Sequence, residues 1–173
     1  MTAYNLIWGI AIDNYGIITS QQAADNGISR QCLRALVNTG KLVRHGHGVY
    51  QVYHHASGRL DVYAIAVAII GKGGFLRGAS VIALHELCPT NPGLVYVGST
   101  LRVRRELPSG YILKDRYNST ITVYFGINCQ SVAFALQEAK SEGTIESDKI
   151  REAAEIAYRK GLITHEESTK FKD

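Results

Sequence analysis

The sequence predicts an α+β fold with two differently built parts. Residues 16–40 have the pattern of two short capped helices and a tight turn, and residues 41–53 form two β-rich runs around a glycine turn. Beyond residue 92 the hydrophobic period becomes that of strands, and it returns to a helical period after residue 131. These observations predict an N-terminal helical domain with a hairpin, followed by a mixed α/β C-terminal domain with a small sheet and a helical tail.

Helix-start signals are strong in the N-terminal part. Thr19 is a favourable N-cap residue, and Gln22 three positions later completes a capping box. Ser29 caps a second helix, which ends before Gly40 because glycine readily adopts the backbone conformation of a helix stop. Residues 2–14 carry apolar side chains at helical spacing and predict a further helix ahead of these two.

The second capped helix is predicted to be amphipathic. At 100° per residue, Leu33 and Leu36 fall on an apolar arc that can pack on a small core. Basic and amide side chains fall on the other arc, and these groups are the donors and acceptors that read guanine and adenine edges in a DNA major groove. The polar arc consists of Arg30, Gln31, Arg34 and Asn38.

The hairpin that follows has a polar tip and a basic approach. Helix, turn, helix and basic hairpin in this order predict a winged helix-turn-helix. The alternative is a small structural domain whose polar face is only solvated. We expect the hairpin to contact DNA backbone or minor groove, and the start of the first capped helix to add phosphate contacts. The expected residues are Lys41, Arg44, His45 and His47 in the hairpin and Ser20 and Gln21 in the helix.

Charge and cysteine content narrow the function classes. The 173-residue chain has a formal net charge of +4 and a pI of about 9.0, a mild basic bias that suits a nucleic-acid partner. All four basic side chains of residues 1–57 lie between residues 30 and 44. Three scattered cysteines give neither a disulfide framework nor a zinc pattern, and no cofactor or metal is expected. No signal segment and no apolar run of ~20 residues occur, which indicates a cytoplasmic protein without membrane contact.

Residues 1–57 and 58–173 are predicted to be separate domains, because the segment 54–58 is small, polar and without apolar periodicity. The glycine-rich segment 71–74 lacks the residue order of a phosphate loop and is expected to be a turn between helices. Predicted helices of the second domain are 60–70, 78–87, one starting at 131, 147–160 and one starting at 164, and predicted strands are 94–97, 101–105, 111–113 and 121–125.

Alternating apolar and basic residues in the predicted strand 101–105 place arginines on one face of the sheet. Such a face suits DNA phosphate or an acidic partner, and the alternative is an ordinary solvated sheet face. The arginines of this run are Arg102, Arg104 and Arg105.

Residues 18–24, 29–31 and 40–50 together resemble the N-terminal winged-helix domain of AbiEi-type antitoxins. The rest of the chain is similar to those proteins only in outline. The resemblance implies that the N-terminal domain binds double-stranded operator DNA upstream of its own gene and represses the operon. It also implies that the C-terminal domain counteracts a nucleotidyltransferase toxin, in a type IV toxin-antitoxin system whose two proteins need not bind each other stably.

Two alternative hypotheses assign the chain to other classes of function. One is a nuclease that the winged helix delivers to DNA, but Glu106, Lys114 and Asp115 do not show the required order of carboxylates and lysine. No Ser/His/Asp or Cys/His set stands out either, so no enzymatic activity and no catalytic residue are predicted. The other is a protein-interaction module with the winged helix as scaffold.

For the DNA-binding hypothesis we expect two copies on paired operator sites, because one small domain binds weakly.

Overall fold

A computed structural model describes residues 1–173, and the chain divides into two compact units. The N-terminal unit comprises Met1–Ile69 with Arg104–Pro108, and the C-terminal unit comprises Ile70–Val103 with Ser109–Asp173. The predicted α+β fold class is confirmed. The domain boundary predicted after residue 57 lies earlier in the chain than this division, and independent folding of residues 1–57 stays a prediction.

The N-terminal unit contains four helices and three strands in the order expected for a winged helix-turn-helix. The helix predicted over residues 2–14 is present but shorter, and a three-residue strand that the sequence did not predict precedes the second helix. The elements are α1 (Ala3–Ala11), β1 (Ile17–Thr19), α2 (Ser20–Asp25), α3 (Arg30–Asn38), β2 (Leu42–Gly46), β3 (Val49–Val52) and α4 (Asp61–Ile70).

Local hydrogen bonds fix where α2 and α3 begin, as predicted. The Thr19 hydroxyl accepts from the Gln22 amide at 3.2 Å, and the Gln22 side chain accepts from the Thr19 amide at 2.9 Å, which completes the capping box. Ser29 Oγ accepts from the Cys32 amide at 3.1 Å and caps α3. Gly40 follows α3 with a φ of +75°, a conformation that ends helices.

Strands β1, β3 and β2 form an antiparallel sheet in that order, and β2 and β3 form the predicted hairpin, called the wing below. A register shift between Arg44 and Gly46 marks an irregularity near the tip of the wing. The helices and sheet enclose one apolar core, against which Trp8 packs while half-buried. Buried members of this core include Ile7, Ala11, Ile18, Leu33, Leu42 and Val52.

The C-terminal unit is a five-stranded mixed sheet with four helices. The strand order is β6-β5-β4-β8-β7, in which β4 is antiparallel to β5 and parallel to β8. None of the helices of the chain has the length and apolar character that a membrane crossing requires. The elements are β4 (Gly74–Leu76), α5 (Gly78–Leu84), β5 (Val95–Ser99), β6 (Tyr111–Lys114), β7 (Ile121–Tyr124), β8 (Ile127–Gln130), α6 (Val132–Glu142), α7 (Ser147–Arg159) and α8 (His165–Thr169).

The structure corrects two predictions for this unit. Residues 101–105 do not form a strand, because single hydrogen bonds take the place of a ladder: the Val103 amide donates to Asp115 Oδ2 at 3.0 Å, and the Leu101 carbonyl accepts from the Arg116 amide at 3.3 Å. The segment 71–74 is not merely a turn between helices, since Gly74 begins the central strand β4. Strand β8 was also not predicted, whereas the capping box that starts α8 is confirmed.

Candidate nucleic-acid interface

Helix α3 has two chemically different faces, as its sequence predicts. Leu33 is fully buried and Leu36 and Val37 are half-buried, so these side chains fix the helix on the core of the N-terminal unit. The opposite face holds only polar and small side chains in solvent. Its long polar members are Arg30, Gln31, Arg34 and Asn38, and all four are exposed.

Backbone contacts hold the tip of the wing against the start of α2. The Ser20 amide donates to the Gly48 carbonyl at 2.8 Å, and the Ser20 hydroxyl donates to the same oxygen at 3.3 Å. Gly48 has a φ of +66°, and a side chain there would collide with Ser20 Oγ. Glycine at this position therefore lets the wing fold back beside the helix-turn-helix.

An open pocket of about 330 Å³ lies between α3 and the wing. We call it the α3–wing pocket. Six of the residues predicted to contact DNA are brought together around it, and no carboxylate lines it. The lining residues are Ser20, Arg30, Arg34, Val37, Asn38, Arg44, His47, Gly48 and Tyr50.

The three guanidinium groups of the pocket are not neutralised by the protein. No ion pair joins Arg30, Arg34 or Arg44 to a carboxylate, and all three side chains are exposed. The Nε of Arg44 donates to the Gly46 carbonyl at 3.2 Å, which orients that side chain along the wing. The pocket is therefore a concave site with unbalanced positive charge, and it suits a polyanion.

Three of the remaining predicted contacts lie outside the pocket lining. Gln21 Nε2 donates to Asp25 Oδ1 at 2.8 Å along the surface of α2. The Lys41 ammonium lies 5.3 Å from the centre of the Tyr4 ring, a cation–π geometry. Gln31 is exposed on α3. A role in DNA contact stays a prediction for all three.

His45 faces a polar network behind the wing that the sequence did not predict. Its Nε2 lies 2.9 Å from Gln51 Oε1, and Gln51 Nε2 donates to the Tyr15 carbonyl at 2.8 Å and to Asp61 Oδ2 at 3.0 Å. His55 Nε2 lies 3.3 Å from the same Asp61 oxygen. The network joins the wing to the start of α4, and no local sequence pattern connects residues this far apart.

The arginines of residues 101–105 do not share one face of a sheet, because that segment is not a strand. Arg102 and Arg104 are exposed, and an Nη of Arg105 donates to the Ile69 carbonyl at 3.0 Å. Contact of these side chains with DNA or an acidic partner stays a prediction, but its original geometric basis was wrong.

The C-terminal unit contains a buried charge cluster that the sequence also did not predict. Arg77 is 3% exposed and precedes α5, where its Nε donates to the Val97 carbonyl at 3.0 Å. One Nη lies 3.4 Å from Glu138 Oε2 and 3.0 Å from Glu142 Oε2, and the other donates to the Ile112 carbonyl. The arginine thus joins two strands to α6.

Glu138, at 5% exposed, is the centre of the buried charge cluster. The Tyr117 hydroxyl donates to Glu138 Oε1 at 2.6 Å, and Lys114 Nζ lies 3.7 Å from the same oxygen. Burial, and then the hydrogen bond to Glu138 and its charge, raise the pKa of Tyr117 to about 12. The cluster comprises Arg77, Lys114, Tyr117, Glu138 and Glu142.

The carboxylates of this cluster are balanced by Arg77 and Lys114, so the cluster holds α6 in place against the sheet. The chain contains no group of three or more His, Cys, Asp or Glu side chains arranged to hold a metal ion. The α3–wing pocket is therefore the site whose positive charge is not balanced within the protein and is available to bind a ligand.

The N-terminal unit is a winged helix-turn-helix with an exposed cationic face, the class of domain that transcription regulators use to bind DNA. Residues 10–53 match the model of a family described as transcriptional regulator, AbiEi antitoxin. This match confirms the resemblance seen in the sequence and supports a role as a transcriptional regulator of the antitoxin type. It spans the end of α1 through β3 and leaves the C-terminal unit outside. No curated protein matches the chain.

Proposed function

We propose that the protein is a DNA-binding antitoxin that represses transcription of its own operon. The observation that carries this proposal is the meeting of Arg30, Arg34 and Asn38 of α3 with Arg44 and His47 of the wing around one open pocket. No carboxylate competes for these donors. An exposed helix beside a cationic hairpin has the shape and charge to bind a duplex groove and its flanking phosphates.

The polar face of α3 reads bases in this proposal. Arginine pairs with guanine, and glutamine or asparagine pairs with adenine, through geometries that other bases do not satisfy. Arg34 is the central reader because it projects from the middle turn of α3, beside Arg30 and Asn38. Gln31, exposed on the same polar face, adds an amide that suits adenine.

The wing and the start of α2 supply contacts to the sugar-phosphate backbone. Arg44 and His47 reach phosphate from the pocket side, and Lys41 adds a positive charge at the base of the wing, whereas His45 is engaged with Gln51. Such contacts give most of the affinity and make it fall steeply with salt. Ser20 lies where α2 meets the wing, Gln21 follows it on the surface of α2, and both add polar contacts to the same strand.

The test is a binding assay with the duplex upstream of the protein's own gene and a scrambled duplex of equal length. We expect tighter binding to the first duplex, occupancy of two half-sites about 10 bp or a multiple apart, and a steep decrease with salt. The double variant Arg30→Ala/Arg34→Ala should lose the preference for the operator. Arg159→Ala, an exposed arginine of α7, is the matched control and should retain it.

Two outcomes would overturn the DNA-binding proposal. One is equal affinity for the operator and the scrambled duplex in the unmodified protein. The other is cleavage of the duplex in the presence of Mg²⁺, which would favour the delivery of a nuclease over repression.

The antitoxin part of the proposal assigns residues 58–173 to counteracting a nucleotidyltransferase toxin. It is supported by the match of residues 10–53 to a family whose description joins antitoxin and regulator. Co-expression of the full chain with the toxin of its operon should restore growth. The Arg30→Ala/Arg34→Ala variant, expressed from an unrelated promoter, should restore growth equally if neutralisation is separate from DNA binding. Loss of protection in that variant would contradict the assignment.

A further inference from the structure

Strand β7 is one of the two edge strands of the C-terminal sheet, the other being β6, and it pairs only with β8. The two strands are joined by the two-residue turn Phe125–Gly126, in which both residues have positive φ, the geometry of a tight hairpin. The apolar residues of β7 that precede the turn are open to solvent: Ile121 is 39% exposed and Val123 is 62% exposed.

The hairpin geometry determines which backbone groups of β7 remain free. Tyr124 and Ile127 close the two-residue turn and form a hydrogen-bonded pair, so the next such pair is Thr122 with Cys129. Residues between hydrogen-bonded pairs direct both backbone groups to the opposite side of the strand. Ile121 and Val123 therefore present their N–H and C=O groups at the open edge.

Although β7 has only four residues, its edge lacks the charges, prolines and bulges that normally prevent strands from pairing between molecules. Natural edge strands carry lysine, proline, bulges or inward charges for this purpose. Residues 117–137 contain no Asp, Glu, Lys, Arg or His, although 20% of the chain is charged. The pairing of β7 with β8 also runs without a register shift.

We propose that β7 is the interface of a homodimer, in which it pairs antiparallel with β7 of a second copy. A two-fold axis at Thr122 sets Ile121 of each copy opposite Val123 of the other, and each such pair exchanges both of its backbone hydrogen bonds. The two sheets then form one continuous sheet. Apolar β-branched side chains face each other across the new strand pair, which is a favourable combination.

The absence of charge on this edge disfavours a charged occupant and favours a second copy. A surface for DNA or for a charged protein segment carries opposite charges, and β7 with its flanking residues carries none. A positively charged chain resists self-association wherever its own charges meet, and the charge-free edge avoids that repulsion. The proposal does not depend on DNA binding by the N-terminal unit.

The test is the mass of the full chain in solution, measured by sedimentation equilibrium over a range of concentrations. We expect the mass to rise with concentration from 19.0 kDa toward twice that value. Val123→Lys should raise the dissociation constant of the dimer by about tenfold or more, because it brings like charges together across the axis. Val62→Lys, at an exposed valine of α4, is the matched control and should dimerise like the unmodified protein.

A backbone variant distinguishes edge pairing from side-chain packing. Val123→Pro removes an amide that points away from β8, so the hairpin should remain folded by circular dichroism while the dimer is lost. A monomeric unmodified protein at every soluble concentration would overturn the proposal, and so would a dimer that survives both changes at Val123.

Dimerisation and DNA binding fail independently in these experiments. The Val123→Lys protein should bind a single operator half-site with unchanged affinity, whereas Arg34→Ala should form dimers like the unmodified chain. A variant that lost both properties would be generally unfolded, and its circular dichroism spectrum would reveal this. The dimer interface would then be tested with Val123→Pro instead.

Discussion

Arg34 and Arg77 carry the same guanidinium group in opposite surroundings. Arg34 is exposed on α3 and makes no ion pair, whereas Arg77 is 3% exposed and bonded to two carboxylates and two carbonyls. The donors of the first remain available to a ligand, and those of the second are used within the fold. The difference shows why the number of basic residues alone does not locate a binding surface: the absence of internal partners does.

The largest expected effect is the loss of Arg77. Arg77→Met should lower the free energy of unfolding by about 3–5 kcal/mol, because it leaves the charge of Glu138 buried with fewer partners. Urea denaturation followed by circular dichroism measures this change. Arg159→Met, on the surface of α7, should change the unfolding free energy by less than about 0.5 kcal/mol. A similar small change for Arg77→Met would show that the buried charge cluster is not structural.

The next prediction concerns Tyr117, whose hydroxyl donates to the Glu138 carboxylate at 2.6 Å. Tyr117→Phe should lower the free energy of unfolding at neutral pH by about 1.5–3 kcal/mol, the range for hydrogen bonds to charged groups. Lys114 and Arg77 keep the carboxylate partly compensated, so the effect should be smaller than that of Arg77→Met.

The pH dependence of the same variant sharpens this prediction. Since the pKa of Tyr117 rises from about 10 when unfolded to about 12 when folded, its neutral form is the one that the fold stabilises. The contribution is complete below about pH 10 and is lost as the pH rises toward 12. The difference in unfolding free energy between the unmodified protein and Tyr117→Phe should therefore shrink above pH 10. A constant difference up to pH 12 would contradict the assignment.

For Arg34 we expect the opposite result: its loss should weaken DNA binding and leave the stability of the fold nearly unchanged. Arg34→Ala should weaken specific operator binding by about 1–3 kcal/mol and relax the preference at one base position. Its free energy of unfolding should change by no more than about 0.5 kcal/mol, because the side chain is exposed and makes no ion pair. Unchanged operator affinity, measured by fluorescence anisotropy, would remove α3 as the reading helix.

The smallest effect is expected for Arg44 on the wing. Arg44→Ala should weaken binding about equally for all duplexes and reduce the slope of log affinity against log salt by about 1, since one phosphate contact is lost. Titrations at several salt concentrations with operator and scrambled duplex measure both quantities. A change in base preference with an unchanged salt slope would show that Arg44 reads bases.

The N-terminal unit was predictable because its signals are local. The capping box of Thr19 and Gln22 and the cap at Ser29 act within three residues, and the apolar arc around Leu33 repeats at the period of one helix. Burial of that arc leaves the polar arc outside, so exposure of Arg30 and Arg34 followed from the same pattern.

The C-terminal unit was harder to predict because its order depends on distant partners. Strand β4 has only three residues and lies between β5 and β8, which come later in the chain. Residues 101–105 alternate like a strand but lack a strand partner, so local alternation was misleading there. Whether a short segment pairs depends on which edge the rest of the sheet leaves open, and no window of neighbouring residues contains that information.

By itself, the sequence determined the winged helix-turn-helix, its cationic face and its family resemblance, because helix periods and caps are properties of adjacent residues. Only the tertiary structure decided that six of the predicted contacts share the α3–wing pocket, that His45 instead faces Gln51, and that Arg77 is buried against Glu138. Partners far apart in the chain meet only through packing, and packing therefore determines which charges remain free to bind.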